Sequence, residues 1–241
     1  MATVKQHYEE VLADVYSWMY GGFENGLQRN REFISKHGLT PDGSTLAVDL
    51  GAGSGFQSIP LAEAGYYVTA IDLSAKLLDE LKANSKELPI TIVKGDLLEF
   101  DNIINKKPEL IVCMTDTIVH LDSKDMVSLL FGKVFNELEP DGKFVISFRD
   151  LAHELKDLDR FIPVRSDDNT VFTCFLEYEP EHVNVHDIVY RKIDGKWNLF
   201  KSFFRKLRLS REWVEGQMVQ YGFKILISDF ENGFITMVVQ K

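Results

Sequence analysis

The chain has 241 residues, of which 45% are hydrophobic and 27% charged, and its formal net charge is -10. This balance is typical of a folded globular protein and excludes disordered and fibrous classes, while no apolar run reaches the length of a membrane span. The negative charge disfavours long-range attraction to nucleic acid or anionic membranes. Cys113 and Cys174 belong to no Cys/His cluster, so we expect neither a disulfide framework nor a bound metal.

The first 44 residues predict a helical cap. Apolar residues at helical spacing indicate one helix between Val4 and Tyr20 and a second from Leu27 to His37. The amino terminus is charged and lacks the apolar core of a signal peptide, which predicts a cytoplasmic location.

Residues 45–150 alternate short apolar runs with helical patterns. This alternation is typical of a doubly wound α/β fold with a parallel sheet, and we expect it to bind a cofactor. The predicted strands cover residues 45–50, 67–71, 89–93, 110–114 and 143–148.

The alternation of predicted strands and helices stops after Asp150. Residues 151–210 contain three β-rich stretches, with a hairpin signal at Asp194 and Gly195, and predict an antiparallel insertion that covers the substrate. Residues 211–241 predict a closing helix and a hairpin marked by Asn232 and Gly233. We therefore expect a single domain made of a cap, a core, an insertion and a closing unit.

Three glycines alternate after the first predicted strand, at Gly51, Gly53 and Gly55. Because glycine adopts positive φ without strain and exposes bare backbone, a turn of this kind between a strand and a helix predicts ligand binding. The alternative is that the glycines only pack a tight turn. A dinucleotide fingerprint would need a small residue where Phe56 stands. Asp49, within the end of the strand, disfavours a pyrophosphate and suits a cationic ligand.

Two further acids close the second and third predicted strands. Asp72 can accept hydrogen bonds from both hydroxyls of a ribose, or it caps the next helix together with Ser74. Asp96 can accept from an adenine amino group, or it is a plain turn acid. With the glycine turn, the two acids predict an adenosine-bearing ligand.

Four motifs follow one another along the chain: VDLGAGSG at 48–55, IDLS at 71–74, GDL at 95–97 and LEPDGKF at 138–144. Together they resemble the class I S-adenosylmethionine-dependent methyltransferases. The resemblance implies a Rossmann-like seven-stranded sheet of order 3-2-1-4-5-7-6 with strand 7 antiparallel, S-adenosylmethionine as cofactor and S-adenosylhomocysteine as product. The residues assigned to cofactor binding are Asp49, Gly51, Ala52, Gly53, Gly55, Asp72, Leu73, Asp96, Leu97 and Met114.

The segment after the fourth strand departs from the family pattern, so the resemblance does not identify catalytic residues. A sulfonium methyl is already activated, and proximity and orientation can suffice for its transfer. His120 and Asp116 are the candidate catalytic residues, although a histidine there can be structural and an aspartate can cap a turn. The candidate substrate contacts are Tyr16, Trp18, His120 and Arg149.

Arg149 could hold a carboxylate or a phosphate, or it pairs with Asp116 or Asp150. The aromatic side chains of Tyr16 and Trp18 could instead pack the core and lid. Eight basic residues between Arg191 and Arg211 indicate a solvated sheet face, a site for an anionic substrate or an RNA contact.

We therefore predict methyl transfer to a small-molecule nitrogen or oxygen. An RNA-directed methyltransferase, a nicotinamide-dependent oxidoreductase and a non-catalytic cofactor-binding module stay open as alternatives. The acceptor and the oligomeric state are not encoded in any motif of the chain.

Overall fold

The computed structural model describes residues 3–231 and 233–241, with Lys5 described by its backbone only. It contains a seven-stranded sheet and a separate four-stranded sheet. The strands are β1 Leu46–Leu50, β2 Tyr67–Asp72, β3 Ile90–Lys94, β4 Leu110–Cys113, β5 Lys143–Arg149, β6 Phe161–Ser166, β7 Thr170–Tyr178, β8 His182–Ile193, β9 Lys196–Leu207, β10 Lys224–Glu231 and β11 Phe234–Gln240.

The larger sheet has the order β10-β11-β5-β4-β1-β2-β3. Strands β1 to β5 run parallel to one another, whereas β11 runs antiparallel to both β5 and β10. This arrangement confirms the predicted order 3-2-1-4-5-7-6 with an antiparallel seventh strand. The predicted turn residue Asn232 lies outside the described residues.

Helices cover both faces of this sheet. They are α1 Val4–His7, α2 Tyr16–Met19, α3 Phe23–Lys36, α4 Ser58–Glu63, α5 Ala75–Ser85, α6 Phe100–Ile103, α7 Lys124–Glu137 and α8 Arg211–Tyr221. One core cluster joins α7 and α8 to the sheet, and residues of α3, α4 and α5 pack on the other face. Because both faces are buried, a central strand such as β4 is apolar throughout. The side chains of Ser74 and Ser210 cap α5 and α8 by accepting from the Leu77 and Trp213 amides.

The amino-terminal segment is not the single regular helix expected between Val4 and Tyr20. Between α1 and α2 it passes through a π-helical turn at Tyr8–Leu12 and a 3₁₀ turn at Ala13–Val15. Leu12 and Val15 pack against Phe172 of β7 and Val189 of β8. The regular helix is thus interrupted where this segment packs against the smaller sheet. Turns of π-helix are frequent near functional sites.

The insertion forms the smaller sheet, of order β6-β7-β8-β9. Three of its strands match the predicted β-rich stretches, and Asp194 and Gly195 both have positive φ at the β8–β9 hairpin. Strand β6 was not predicted, because Pro163 and an irregularity between Pro163 and Arg165 hide its pattern. Among the described residues, no helix has the length and apolarity needed to cross a bilayer.

Candidate active site

A cavity of about 660 Å³ lies at the carboxyl ends of the central strands of the larger sheet. We call it the large cavity. Tyr8 and Tyr16 of the amino-terminal segment and His182 and Arg205 of the insertion also contribute to its lining. Its volume falls within the range of small-molecule and cofactor sites, roughly 300–1,000 Å³.

The glycine turn forms part of the cavity wall. Gly51 and Gly53 line the cavity with positive φ values of 78° and 51°. A Cβ added at Gly51 would collide with the side chain of Thr117, so only glycine fits there. Gly55 does not line the cavity, because its backbone packs against Leu81 of α5.

Asp72 faces the same cavity from the end of β2. Its Oδ2 accepts a hydrogen bond from the Gly53 amide at 2.9 Å, and its Oδ1 accepts one from the Ser74 amide at 2.7 Å. Burial raises the pKa of Asp72, and the backbone amides act in the opposite direction. Each carboxylate oxygen keeps a further lone pair that can accept from a ligand.

Asp96 follows β3 and also lines the large cavity. Its Oδ1 accepts a hydrogen bond from the Leu98 amide at 2.9 Å, which caps a short 3₁₀ turn at Leu97–Glu99. Leu97, Leu98 and Ile71 supply apolar wall on this side. The capping role and a ligand contact are therefore compatible for Asp96.

A smaller cavity of about 130 Å³ adjoins the first. We call it the small cavity. Tyr8, Tyr16 and Thr115 line both cavities, so these three residues mark the boundary between them. The insertion supplies much of the remaining wall, with Phe172 and Phe204 among its aromatic residues.

A buried ion pair joins the insertion to the end of β4 in the small cavity. Lys206 Nζ lies 2.8 Å from Asp116 Oδ2, and the two side chains are only 12% and 9% exposed. Arg149 Nε is 3.3 Å from the same oxygen, and the Arg149 amide donates to Asp116 Oδ1 at 2.7 Å. Burial alone would raise the pKa of Asp116, but Lys206 and Arg149 hold it below its usual value.

The backbone at this point is strained. Thr115 and Asp116 have positive φ values of 59° and 72°, which side chains other than glycine rarely adopt. The Thr115 amide donates to Ser147 Oγ at 2.8 Å, and the Asp116 amide donates to the Ser147 carbonyl at 3.0 Å. Strain held by surrounding hydrogen bonds is typical of functional sites.

His120 lines the large cavity, where its Nε2 lies 3.4 Å from the Tyr8 hydroxyl. Its Nδ1 is buried and has no hydrogen-bond partner among the described atoms. Burial and the nearby Lys206 ammonium lower the pKa of His120 to about 3. The imidazole is therefore neutral at physiological pH.

A second buried contact connects the amino-terminal segment to the insertion. His7 Nε2 lies 2.8 Å from Asp187 Oδ2, and Cys174 Sγ donates to Asp187 Oδ1 at 2.8 Å. Asp187 and Cys174 line the small cavity. Glu9 also binds the amino terminus of α5 through the Ala75 amide, at 2.9 Å. The amino-terminal segment is thus attached to the insertion through His7 and to α5 through Glu9.

Comparison with known proteins identifies this architecture. Residues 47–142 match the family described as methyltransferase domain. Residues 47–142 therefore carry a methyltransferase domain, which is a catalytic domain, and the surrounding fold is shared with an S-adenosylmethionine-dependent methyltransferase of known structure.

Two curated relatives match part of this chain. The putative methyltransferase YqeM of Bacillus subtilis strain 168 is 35% identical over 97 residues, which cover 39% of this chain and 38% of the relative. The glycine/sarcosine N-methyltransferase of Aphanothece halophytica is 27% identical over 120 residues, covering 49% and 45%. The chain therefore spans less than half the length of these two relatives.

Two solved structures share nearly the whole fold of this chain. The CcbJ methyltransferase of Streptomyces caelestis superposes with a TM-score of 0.78 at 21% identity, covering 96% of each chain. CalS10 of Micromonospora echinaspora, an amino pentose methyltransferase in a SAM-bound structure, has a TM-score of 0.71 at 12% identity, covering 95% of this chain and 93% of that one. At these identities the likeness extends to the fold.

The lining of the large cavity fits S-adenosylmethionine. The exposed backbone of Gly51 and Gly53 leaves room for the methionyl part, and the remaining lone pairs of Asp72 suit two ribose hydroxyls. Leu97 and Asp96 lie where an adenine ring can meet an apolar wall and a hydrogen-bond acceptor. No group in this set conflicts with a cationic ligand.

The predicted site residues fall into three groups, according to the cavity that each one lines. Those that line the large cavity are Tyr16, Gly51, Gly53, Asp72, Leu73, Asp96, Leu97, Met114 and His120. Asp116 and Arg149 line only the small cavity. Asp49, Ala52, Gly55 and Trp18 line neither cavity.

Two of these placements correct the expectations from sequence. Asp49 is buried behind the turn, where its Oδ2 accepts from Ser58 Oγ at 2.6 Å, and burial raises its pKa to about 7. It therefore does not present a carboxylate to the ligand. Trp18 donates from Nε1 to Asp167 Oδ2 at 2.6 Å and does not face a substrate space. Packing between segments decided both positions.

Sequence reasoning missed several residues at the boundary and in the small cavity. Tyr8, Thr115 and Lys206 belong to no sequence motif. Lys206 lies two residues after Phe204 on β9, so both side chains face inward. A charged residue at an inward strand position was a usable signal.

The basic stretch from Arg191 to Arg211 is mostly engaged within the chain. Arg205 pairs with Glu179, Arg208 Nη1 lies 2.7 Å from Glu154 Oε1, and Arg211 Nε lies 2.9 Å from Glu215 Oε1. These internal pairs weaken the interpretation of the stretch as an RNA contact.

Proposed function

We propose that the protein methylates an amine nitrogen of a small molecule, which binds in the small cavity. The observation that carries the proposal is the boundary formed by Tyr8, Tyr16 and Thr115 between the two cavities. An acceptor in the small cavity would reach the large cavity only past these residues. The cofactor, when bound, supplies an electrophilic methyl group on a sulfonium.

The residues around the boundary favour a nitrogen acceptor over an oxygen acceptor. An alcohol generally needs a general base, whereas an amine needs only to bind without its proton. His120, with a pKa of about 3, is too weak a base to retain a proton from the acceptor. The Asp116 carboxylate is engaged by Lys206 and Arg149. Neither candidate catalytic residue therefore suits the role of base.

The chain's own contribution is orientation and exclusion of water. Tyr8 and Tyr16 of the boundary and Phe204 of the small cavity form an aromatic wall beside which an ammonium ion loses hydration, so an amine binds preferentially in its neutral form. The Tyr8 hydroxyl and His120 Nε2 lie 3.4 Å apart, and the hydroxyl oxygen keeps a lone pair that can accept a hydrogen bond from the nucleophile and align it.

The names of related proteins support an amine acceptor. The relatives include glycine/sarcosine N-methyltransferases and a cypemycin N-terminal methyltransferase, and the similar structures include an amino pentose methyltransferase and a sugar N-methyltransferase. The small volume of the second cavity suits an acceptor, or a part of one, with few heavy atoms.

The test is an acceptor screen with the full chain and S-adenosylmethionine. Small amines, including glycine and amino sugars, are compared with the alcohols of the same skeleton, and S-adenosylhomocysteine is quantified by mass spectrometry. We expect turnover on amines only, with a rate that rises with pH until the acceptor amine is deprotonated. Methylation of the alcohols, or no product on any amine, would contradict the proposal.

A cavity-filling variant provides the matched control. Cys174 lines the small cavity and not the large one, so Cys174→Phe should abolish turnover while calorimetry still detects cofactor binding. Loss of cofactor binding in this variant would show that the two cavities do not have separate roles.

A further inference from the structure

The insertion sheet has an outer face that is largely exposed in the described part of the structure, with Arg160 lying over one of its rings, Phe175. Successive residues of a strand point to opposite faces, and Phe172, Val189 and Phe204 place the inner face against the rest of the chain. Their strand neighbours at alternate positions form the opposite face. We call this second surface the outer face.

A row of four aromatic rings crosses the outer face from one edge to the other. Phe161 of β6 lies opposite Phe175 of β7, which lies opposite His186 of β8 and, through it, Phe203 of β9. The ring centroids are 4.7, 5.7 and 5.0 Å apart in that order. Such contact between cross-strand rings forms a continuous apolar band.

A second apolar row lies four residues further along the strands. Val171, Tyr190 and Leu199 are opposite one another and are 37%, 43% and 47% exposed. Trp197, two positions beyond Leu199 on β9, is 51% exposed. Single exposed apolar residues are common, but a contiguous patch of this kind marks an interaction surface.

We propose that the outer face binds the outer face of a second copy of this chain, related by a two-fold axis. Two-fold association requires one surface that is complementary to itself. The charges on the outer face meet this condition, because Glu177 lies towards one end of the strands, on one side of the aromatic row, and Lys201 and Lys192 lie on the other side, towards the β8–β9 hairpin. An antiparallel pairing brings the acidic end of each copy onto the basic end of its partner.

The charge of the whole chain supports the same surface. Two molecules with a formal net charge of -10 repel one another at long range. On the outer face, Lys192 and Lys201 exceed Glu177, so the excess negative charge lies elsewhere. Two copies can approach through this face with the least repulsion.

The size of the face fits a stable dimer. Four strands about 4.8 Å apart, two of them of 12 residues, present a surface roughly 15–19 Å wide and up to about 40 Å long. That is roughly 600–700 Å² for each copy, close to the approximately 800 Å² per partner of a standard interface.

The test measures the mass of the intact chain by sedimentation velocity over a concentration series. We expect a particle of twice the 27.6 kDa chain mass. Leu199→Asp would bury a charge within the apolar patch of the interface and should weaken the dimer by about 100-fold or more. Val219→Asp is the matched control, because Val219 is 60% exposed on α8, outside the insertion. It should leave the dimer intact.

Charge reversal tests the orientation. Lys201→Glu should weaken the dimer, and adding Glu177→Lys to the same chain should restore it. Circular dichroism melting of each variant confirms that the chain is folded. A wild-type chain that is monomeric at 100 μM, or a folded Leu199→Asp variant that dimerises like the wild type, overturns the proposal. A complex that forms only with a different protein overturns it as well.

Discussion

Removing the Asp72 carboxylate should weaken cofactor binding more than any other single change in the large cavity. If it accepts both ribose hydroxyls, two charge-assisted hydrogen bonds are lost in Asp72→Ala, each worth about 1.5 kcal/mol or more. A loss of about 3 kcal/mol corresponds to roughly 150-fold in Kd. Isothermal titration of the full chain with S-adenosylmethionine, at fixed pH and salt, measures this difference.

Asp72→Asn should not rescue binding. Both carboxylate oxygens already accept backbone amides, from Gly53 and Ser74, so an amide NH₂ in either position faces another donor. Asp79→Asn, on the exposed side of α5, is the matched control and should leave Kd unchanged. If Asp72→Ala melts normally and binds within threefold of the wild type, Asp72 does not hold the ribose.

Three further predictions concern the buried charges. Lys206→Met leaves the Asp116 carboxylate without its closest cation and should lower the free energy of unfolding in urea by about 3 kcal/mol, whereas the exposed Lys196→Met should change it by less than about 0.5 kcal/mol; equal effects would contradict this. Burial raises the pKa of Asp49 from 3.8 to about 7, so its contribution to stability is greatest at acid pH and is lost as the pH rises through 7. Between pH 5 and pH 8, the Tm of Asp49→Asn should therefore rise relative to the Tm of the wild type. A Tm difference that stays constant over this range would contradict the raised pKa of Asp49. His120→Gln should lower kcat for an amine acceptor by less than about tenfold, because a base contributes typically 10²–10⁴-fold and this imidazole does not act as one; a loss above 100-fold would restore His120 as the base.

The cofactor side of the site was readable because its signals are local. The turn at Gly51 and Gly53 joins one strand directly to the following helix, and Asp72 ends the next strand. In a parallel sheet the carboxyl ends of adjacent strands meet at one edge, so these residues come together whatever surrounds them. Their sequence spacing therefore predicted their arrangement.

The placement of Asp49 and Trp18 could not be read in the same way. Asp49 is two residues from Gly51, yet the alternation of side chains along β1 and the Ser58 hydroxyl of α4 direct its carboxylate away from the cavity. Trp18 depends on Asp167, which is 149 residues distant in the chain. Only the packing of α2 against the insertion determines which way it faces.

The sequence by itself determined the alternating strands and helices of the core and the edge where the glycine turn meets Asp72, because these follow from hydrophobic periodicity and short turns. The order of the seven strands came from the resemblance to a known family. The tertiary structure alone decided the acceptor side. Asp116 and Lys206 are 90 residues apart, and Tyr8 meets His120 across 112 residues. Such contacts arise only when the cap, the core and the insertion pack together, since no local pattern encodes which distant side chain will balance a buried charge.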